Sequence, residues 1–105
     1  MIQLVVRKVK PEHVDLLRDW MGQLNGPRRG EALATLVDEG CTHERVVLIE
    51  GADGPVVIYV MEVESVEHAR NAAENSTHPI DAEHRAVLDT AIGERVGYEL
   101  LLDLR

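Results

Sequence analysis

The sequence predicts an α+β fold of the ferredoxin-like type, with helices on one face of a four-stranded antiparallel sheet. Its segments run strand, helix, strand, strand, helix, strand, which is the order of the split β-α-β unit, and each helical segment is broken in two. Period-two alternation marks the strands, and apolar residues three and four apart mark the helices. The 105 residues form one domain, residues 1–105, because chains of this size seldom hold two separate cores.

The N-terminal half contains one strand and two helices. Residues 2–9 alternate between two faces and are rich in β-branched side chains, as expected of a strand. Pro11 suits the first turn of a helix, which the turn residues at 25–27 end, and a shorter helix stops at Gly40. The side chains predicted to turn inward are Val14, Leu17, Met21 and Leu24 in the first helix and Leu33, Leu36 and Val37 in the second.

A hairpin follows at the centre of the chain. Residues 44–50 and 55–64 are predicted strands, joined by a turn at 51–54 that contains an Asp-Gly pair. The strand over 55–64 is apolar on both faces, which indicates that both faces are covered. Helices of one chain cover one face only, so we expect a homodimer that packs sheet to sheet.

The last third is predicted to contain two helical pieces and a final strand. Ser65 is a natural N-cap for the first piece. The chain breaks at 75–79, and Asp81 is expected to cap a second piece over 82–92. Residues 95–104 alternate cleanly between apolar and other residues, which predicts the fourth strand.

Composition excludes several classes of partner. The net charge is −8, from 19 acidic and 11 basic residues, which argues against binding to nucleic acid or to anionic membranes. The longest apolar run, 55–61, is far too short for a membrane span. Cys41 is the only cysteine, so no intrachain disulfide forms, and we expect a soluble protein of the reducing cytoplasm.

His84 is the most informative candidate residue. Its spacing from Ile80 and Val87 places it on the apolar stripe of the last helix, facing the sheet. A histidine there is either a hydrogen-bonded core residue or part of a cavity wall. In a cavity, its ordinary pKa would make it a usable acid or base near neutral pH.

The neighbours of His84 have both structural and ligand-binding interpretations. His78 precedes a proline, which indicates an extended corner with an exposed ring, but the ring could also bind a ligand. Asp81 is read as a helix cap in preference to a catalytic carboxylate. Arg85 is turned about 100° from His84 on the helix and could meet an anionic group or form an ion pair.

Aromatic and arginine side chains supply the remaining ligand-binding candidates. Trp20, Tyr59 and Tyr98 are the only aromatic residues, and they either fill the core or line a pocket with His84. Arg28 and the adjacent Arg29 follow a proline near a helix start. They could clamp a carboxylate or phosphate, or remain a solvated pair.

Metal and nucleophile chemistry are both disfavoured. His78, Asp81 and His84 carry suitable metal ligands, but their spacing gives no compact pair on one helix face. Cys41 lies near His43, yet a lone cysteine between a helix and a strand is more often a small buried residue. We therefore predict no metal site and no cofactor.

The layout, together with "HPIDAEHRAVL" in the second helical segment, resembles the dimeric α+β-barrel superfamily. That resemblance implies two ferredoxin-like protomers packed sheet to sheet, often with a cavity between each sheet and its helices. The His78-Pro79 and His84 residues are similar to the His-Pro-x-His element of stress-responsive A/B-barrel proteins, with a longer spacer here. Polyketide cyclases of that branch use the second histidine with a tyrosine. The whole chain looks closest to an uncharacterised microbial family of the superfamily.

Two functions are compatible with these patterns. The first is a small-molecule-binding protein with no chemistry of its own. The second is a cofactor-independent enzyme of the monooxygenase, cyclase or isomerase type that acts on a small organic molecule. In the enzyme, His84 would be the acid or base and Tyr59 or Tyr98 would orient the ligand. Arg85 or Arg28 would meet a negative group.

Overall fold

A computed structural model describes the whole chain, residues 1–105. The strands are β1 (Ile2–Val9), β2 (Cys41–Gly51), β3 (Gly54–Val63) and β4 (Ile92–Arg95). The helices are α1 (Val14–Asn25), α2 (Arg29–Glu39), α3 (Val66–Glu74) and α4 (Pro79–Ala91), with a 3-10 turn over Pro11–His13 before α1. The four strands pair antiparallel in the order β2-β3-β1-β4. This order confirms the predicted α+β class and is consistent with a ferredoxin-like fold.

The helices cover one face of the sheet and form the core with it. Strand pairing sets Arg7 opposite Val57 and Val5 opposite Tyr59, so these residues share the helix-facing side. The main core cluster consists of Val9, Val14, Leu17, Val57 and Ala91. A smaller cluster of Cys41, Val63 and Ala69 joins the start of β2 to α3. The core therefore lies in one layer between the sheet and the helices.

The opposite face of the sheet is apolar and has no helix over it. We call it the outer sheet face. Its apolar residues are Ile2, Leu4, Val6, Val47, Ile49, Val56, Ile58 and Val60. Ile2 is 68% exposed, and Val47 and Ile49 are nearly half exposed. Within the single chain this face remains in contact with solvent.

Local sequence signals placed several boundaries correctly. Gly40 ends α2 with a left-handed φ of 65°, which a residue without Cβ adopts at little cost. The hairpin turn lies where predicted, with Gly51 paired to Gly54. Ser65 caps α3, because its Oγ accepts a hydrogen bond from the His68 backbone N–H at 3.2 Å.

The predicted fourth strand over 95–104 is wrong in position and length. β4 spans only Ile92–Arg95, and the residues after it, 96–105, have no regular secondary structure. We call this segment the C-terminal tail. Two hydrogen bonds hold the start of the tail beside β1. The Val96 backbone N–H donates to the carbonyl oxygen of Val6 at 2.9 Å, and Tyr98 Oη donates to the carbonyl oxygen of Leu4 at 2.8 Å. After Tyr98 the apolar side chains of the tail are exposed and are not covered by another part of the chain. Alternation of apolar and other residues is therefore not enough to produce a strand here.

Two helix predictions also need correction. Asp81 does not cap the last helix: α4 begins at Pro79, whose fixed φ suits the first helical position, and His78 is the N-cap residue. Asp81 lies in the first turn and accepts a hydrogen bond from Ser76 Oγ. In α2, Val37 is 77% exposed while Thr35 is buried, so the inward stripe is rotated from the predicted one. None of the helices has the length and hydropathy to cross a membrane.

Candidate functional site

A cavity of about 690 Å³ lies between β2 and the helices α1, α2 and α4. The cavity and the core occupy the same layer between the sheet and the helices. Side chains fill this layer in the core, whereas they leave space at the cavity. Apolar side chains in its wall include Met21, Leu24, Leu33, Leu36, Val46 and Ile80. Polar side chains in its wall include Arg29, Glu39, Thr42, Glu44, Asp81 and His84. A largely apolar concave wall with a few polar groups is the usual form of a small-molecule site.

His84 lies in this wall and is fixed by a hydrogen bond to Trp20. The indole Nε1–H of Trp20 donates to Nδ1 of His84 at 2.8 Å. Burial lowers the pKa of His84, and the charge of Asp81 opposes this effect in part. The ring is therefore neutral near pH 7. Because Nδ1 is the acceptor, the single ring proton is on Nε2.

The Nε2–H of His84 is free to meet a ligand. It makes no hydrogen bond within the chain, and the one buried side-chain oxygen or nitrogen without a partner is Tyr59 Oη. The unbonded Nε2 therefore has access to solvent, and His84 is one of the residues that line the cavity. His84 thus lines the cavity and keeps one free N–H donor, while its basic lone pair is occupied by Trp20.

Arg28 contacts the ring of Trp20 and does not line the cavity. Its guanidinium carbon lies 5.5 Å from the centroid of the Trp20 ring, a cation–π contact. Arg28 also pairs with Glu31 and Glu83, and these hydrogen bonds, that to Glu83 foremost, hold the pKa of Arg28 above its usual value. Arg28 thus contacts the tryptophan that is bonded to His84, and its ion pairs are with two carboxylates of its own chain.

Three carboxyl groups, those of Glu39, Glu44 and Asp81, line the cavity. Burial raises the pKa of Glu39 to about 7, and the negative charges of Glu44, Asp81 and Asp38 add to the increase. The Glu44 side chain is exposed to solvent. Partial desolvation by the surrounding protein nevertheless raises the pKa of Glu44 as well. Near neutral pH Glu39 is therefore a mixture of acid and carboxylate, and it can give or take a proton.

Tyr59 is partly buried beside the main core cluster and does not line the cavity. Its hydroxyl has no hydrogen-bond partner. Burial, assisted by the charge of Glu44, raises the pKa of Tyr59 to about 12, so the hydroxyl stays protonated. An unpaired buried hydroxyl costs free energy, and nothing in the chain shows what offsets this cost.

Three other predicted site residues lie away from the cavity. His78 Nε2 contacts Asp38 Oδ2 at 2.7 Å, at the end of α2. Arg85 is exposed and donates to the carbonyl oxygen of Ala73 at 3.4 Å. Tyr98 is 55% exposed and is bound to the edge of β1. The structure thus brings His84, Trp20 and Arg28 together, whereas His78, Arg85, Tyr59 and Tyr98 take no part in this group of contacts.

Sequence reasoning missed the two glutamates of the wall. Glu39 is the last residue of α2, and Glu44 lies in β2 on the same face as Val46 and Leu48. A charged residue in the apolar row of a strand was the available signal for Glu44. No group of three or more histidine, cysteine, aspartate or glutamate side chains is arranged to hold a metal ion. Cys41 is buried, and burial raises the pKa of its thiol, which suits a core residue.

The chain belongs to DUF6176, a family of unknown function whose model matches residues 1–105. Searches of curated proteins and of solved structures gave no match. The family membership leaves the reaction and the ligand to be argued from the site.

Proposed function

We propose that this protein binds a small organic molecule in the cavity beside β2, as a homodimer of the α+β-barrel type. The observation that carries the proposal is the Trp20–His84 hydrogen bond of 2.8 Å. A buried tryptophan fixes the tautomer of a histidine that lines the cavity and keeps a free N–H. Arrangements of this kind orient a ligand, because they place one donor at a defined point of an apolar wall.

The donor and the wall define the ligand's chemistry. The ligand presents a hydrogen-bond acceptor, such as a carbonyl oxygen, to His84 Nε2–H, and rests an apolar body against Leu36 and Val46. A second polar group of the ligand can meet Glu39, which donates a proton when neutral and accepts one when charged. Asp81 acts on the pKa of both Glu39 and His84, which supports their belonging to one end of the cavity.

The homodimer is supported by the outer sheet face. Its apolar residues would be covered if two sheets packed against each other, and exposed apolar surfaces of this kind are commonly interaction sites. The buried and free thiol of Cys41 suits a reducing compartment such as the cytoplasm.

Trp20 provides the assay, because it is the only tryptophan and it touches His84. A set of small aromatic and aliphatic ketones, esters and carboxylates is titrated into the protein while tryptophan fluorescence is recorded. A binder is expected to shift the emission as the site fills and to raise the melting temperature as the ligand concentration increases above Kd.

His84→Asn is the matched variant for this titration. Asparagine Oδ1 can replace Nδ1 as the acceptor for Trp20, but its amide does not reach the position of Nε2. We expect the variant to remain folded and to bind the selected compound at least tenfold more weakly, which corresponds to about 1.4 kcal/mol. Unchanged affinity in His84→Asn, or no binder in the whole set, would refute the proposed site.

A second candidate function is favoured by Glu39. A carboxyl group with a pKa of about 7 is suited to general acid–base catalysis at neutral pH. The protein would then be a cofactor-independent enzyme of the monooxygenase, cyclase or isomerase type. Glu39 would transfer the proton and His84 would polarise a carbonyl, because the lone pair of His84 is engaged by Trp20.

The enzyme reading is tested with any compound that binds in the titration. Product formation is followed by mass spectrometry in the wild type and in Glu39→Gln. The enzyme function predicts turnover that follows a pKa near 7 and is lost in Glu39→Gln while binding persists. Binding without turnover in the wild type would refute the enzyme function, and small-molecule binding would be the function that stands.

A further inference from the structure

The single chain exposes more surface than its mass accounts for. Its accessible surface is 7281 Å². A folded monomer of 11.7 kDa is expected to expose about 5,900 Å², so the excess is roughly 1,400 Å². The radius of gyration is 14.0 Å, where a compact domain of this length has about 13 Å. The chain therefore carries surface that a compact protein of its size would bury.

Two surfaces of the chain carry most of its exposed large apolar residues, the outer sheet face and the C-terminal tail. The tail leucines are among the most exposed apolar residues of the chain: Leu100, Leu101, Leu102 and Leu104 are exposed by 72%, 83%, 70% and 81%. After Tyr98 no hydrogen bond ties the tail to its own chain. A leucine-rich segment and an apolar sheet face are thus both without a partner.

We propose that the C-terminal tail of one copy lies on the outer sheet face of a second copy, and that the two copies exchange tails reciprocally. This inference rests on the homodimer of the proposed function and adds the segment that holds it together. Each tail would place its leucines at the β2 edge of that face, over Val47 and Ile49, while the packed sheets cover the remaining apolar rows. An excess of roughly 1,400 Å² per chain lies within the range that each subunit of an obligate homodimer buries, about 1,000 to 2,500 Å².

Charges on the two surfaces are complementary. Arg45 lies on the outer sheet face beside Val60 and has no ion pair within the chain. Glu99 and Asp103 alternate with leucines in the tail and have no ion pair either. A tail laid along the sheet of the other copy can bring one of its carboxylates to Arg45 while its leucines are covered.

The first experiment measures mass in solution by sedimentation equilibrium on the full chain. The wild type is expected at twice the 11.7 kDa chain mass. Leu102→Glu should shift the equilibrium to the single chain, because it would bury a charge in the interface. Leu16→Glu is the matched control: Leu16 is 40% exposed on α1, away from both surfaces, and its variant should remain a dimer.

The second experiment asks whether the contact is between the tail and the sheet. Asp103→Arg and Arg45→Glu should each weaken the dimer at least tenfold, and the double variant should regain most of the loss if these two residues pair. Exchange of Glu99 in the same design tests the other carboxylate. Additive losses for both carboxylates would refute the proposed placement of the tail.

The third experiment remains decisive if a charge variant fails to fold. Cysteine is introduced at Leu102 and Val47 of the full chain, where Cys41 stays buried, and the protein is oxidised. The exchange predicts a covalent dimer on denaturing gels, and a cross-linked single chain would overturn it.

If the wild type is a dimer that Val47→Glu dissociates but Leu102→Glu does not, the sheet-to-sheet dimer stands and tail exchange is wrong. A monomeric wild type would refute both, whereas ligand binding is scored separately by tryptophan fluorescence.

Discussion

Replacing Glu39 with glutamine removes one charge from the cavity wall and keeps the shape of the side chain. In the folded protein the pKa of Glu39 is about 7, raised from 4.5 mainly by burial. Between these two values the folded chain holds a proton that the unfolded chain has released. The stability of the wild type therefore falls as the pH rises through this window, and the full loss is present above pH 7.

The size of this loss follows from the difference between the two pKa values. Each pKa unit corresponds to about 1.4 kcal/mol, which sets an upper limit of about 3.5 kcal/mol above pH 7. Glu39 is only partly buried and the cavity admits water, so screening reduces the expected value to roughly 1–2 kcal/mol. Glutamine stays neutral at every pH. We expect Glu39→Gln to be more stable than the wild type by that amount at pH 8 and nearly equal to it at pH 4.5.

Urea unfolding at both pH values measures this difference, and comparing two variants at one pH cancels the titration of all other groups. Glu12→Gln is the control, because Glu12 is exposed and has no ion pair, so it reports the general effect of removing one negative charge from a chain of net charge −8. An equal stability change at pH 4.5 and pH 8 would show that Glu39 is not a desolvated carboxyl. A loss of stability at pH 8 would show that its charge is paired.

Three further outcomes follow from individual contacts. His84→Ala leaves the buried Trp20 N–H unpaired, so we expect urea unfolding to show a loss of about 1–3 kcal/mol; an unchanged midpoint would contradict the hydrogen bond. Trp20→Phe removes that donor, so the pKa of His84 should rise toward its ordinary 6.5, as read from NMR titration of its ring protons; an unmoved titration would mean that burial alone sets the pKa. Gly40→Ala forces a side chain into a left-handed conformation and should cost about 1–2 kcal/mol in the same unfolding assay, whereas Gly30→Ala, within α2, should not destabilise.

The parts of the fold that were predictable depend on local chemistry. Ser65 caps a helix through its own hydroxyl, and Gly40 ends one through its own backbone, so neighbouring residues contain the needed information. The strand alternation over 2–9 likewise assigns each side chain to a face without knowledge of the partner strand. In the C-terminal tail the same alternation failed, because a strand also needs a neighbouring chain segment to pair with.

The site was less predictable because it joins residues distant in sequence. Trp20 and His84 are 64 positions apart, and their spacing says nothing about which nitrogen of the ring accepts. The sequence placed His84 correctly on the inward stripe. Both predicted alternatives are partly right, because His84 is hydrogen-bonded to a buried residue and also lines the cavity. The carboxyl cluster depends on Asp81 of α4 approaching the end of α2, a helix packing that no local pattern encodes.

The shifted pKa values of two cavity residues, His84 and Glu39, together indicate a neutral ligand. The pKa of His84 is lowered and that of Glu39 is raised, and burial is the largest cause of both shifts. His84 contributes stability above pH 6.5 that is lost as the pH falls through its folded value, whereas the cost of charging Glu39 grows as the pH rises to about 7. Both effects favour uncharged side chains near neutral pH, although the whole protein carries a net charge of −8. A carbonyl compound can accept from His84 Nε2–H without bringing a further negative charge toward Glu39, Glu44 and Asp81. We therefore expect ketones and esters to bind more tightly than the matching carboxylates, and the preference to increase above pH 7 as Glu39 ionises.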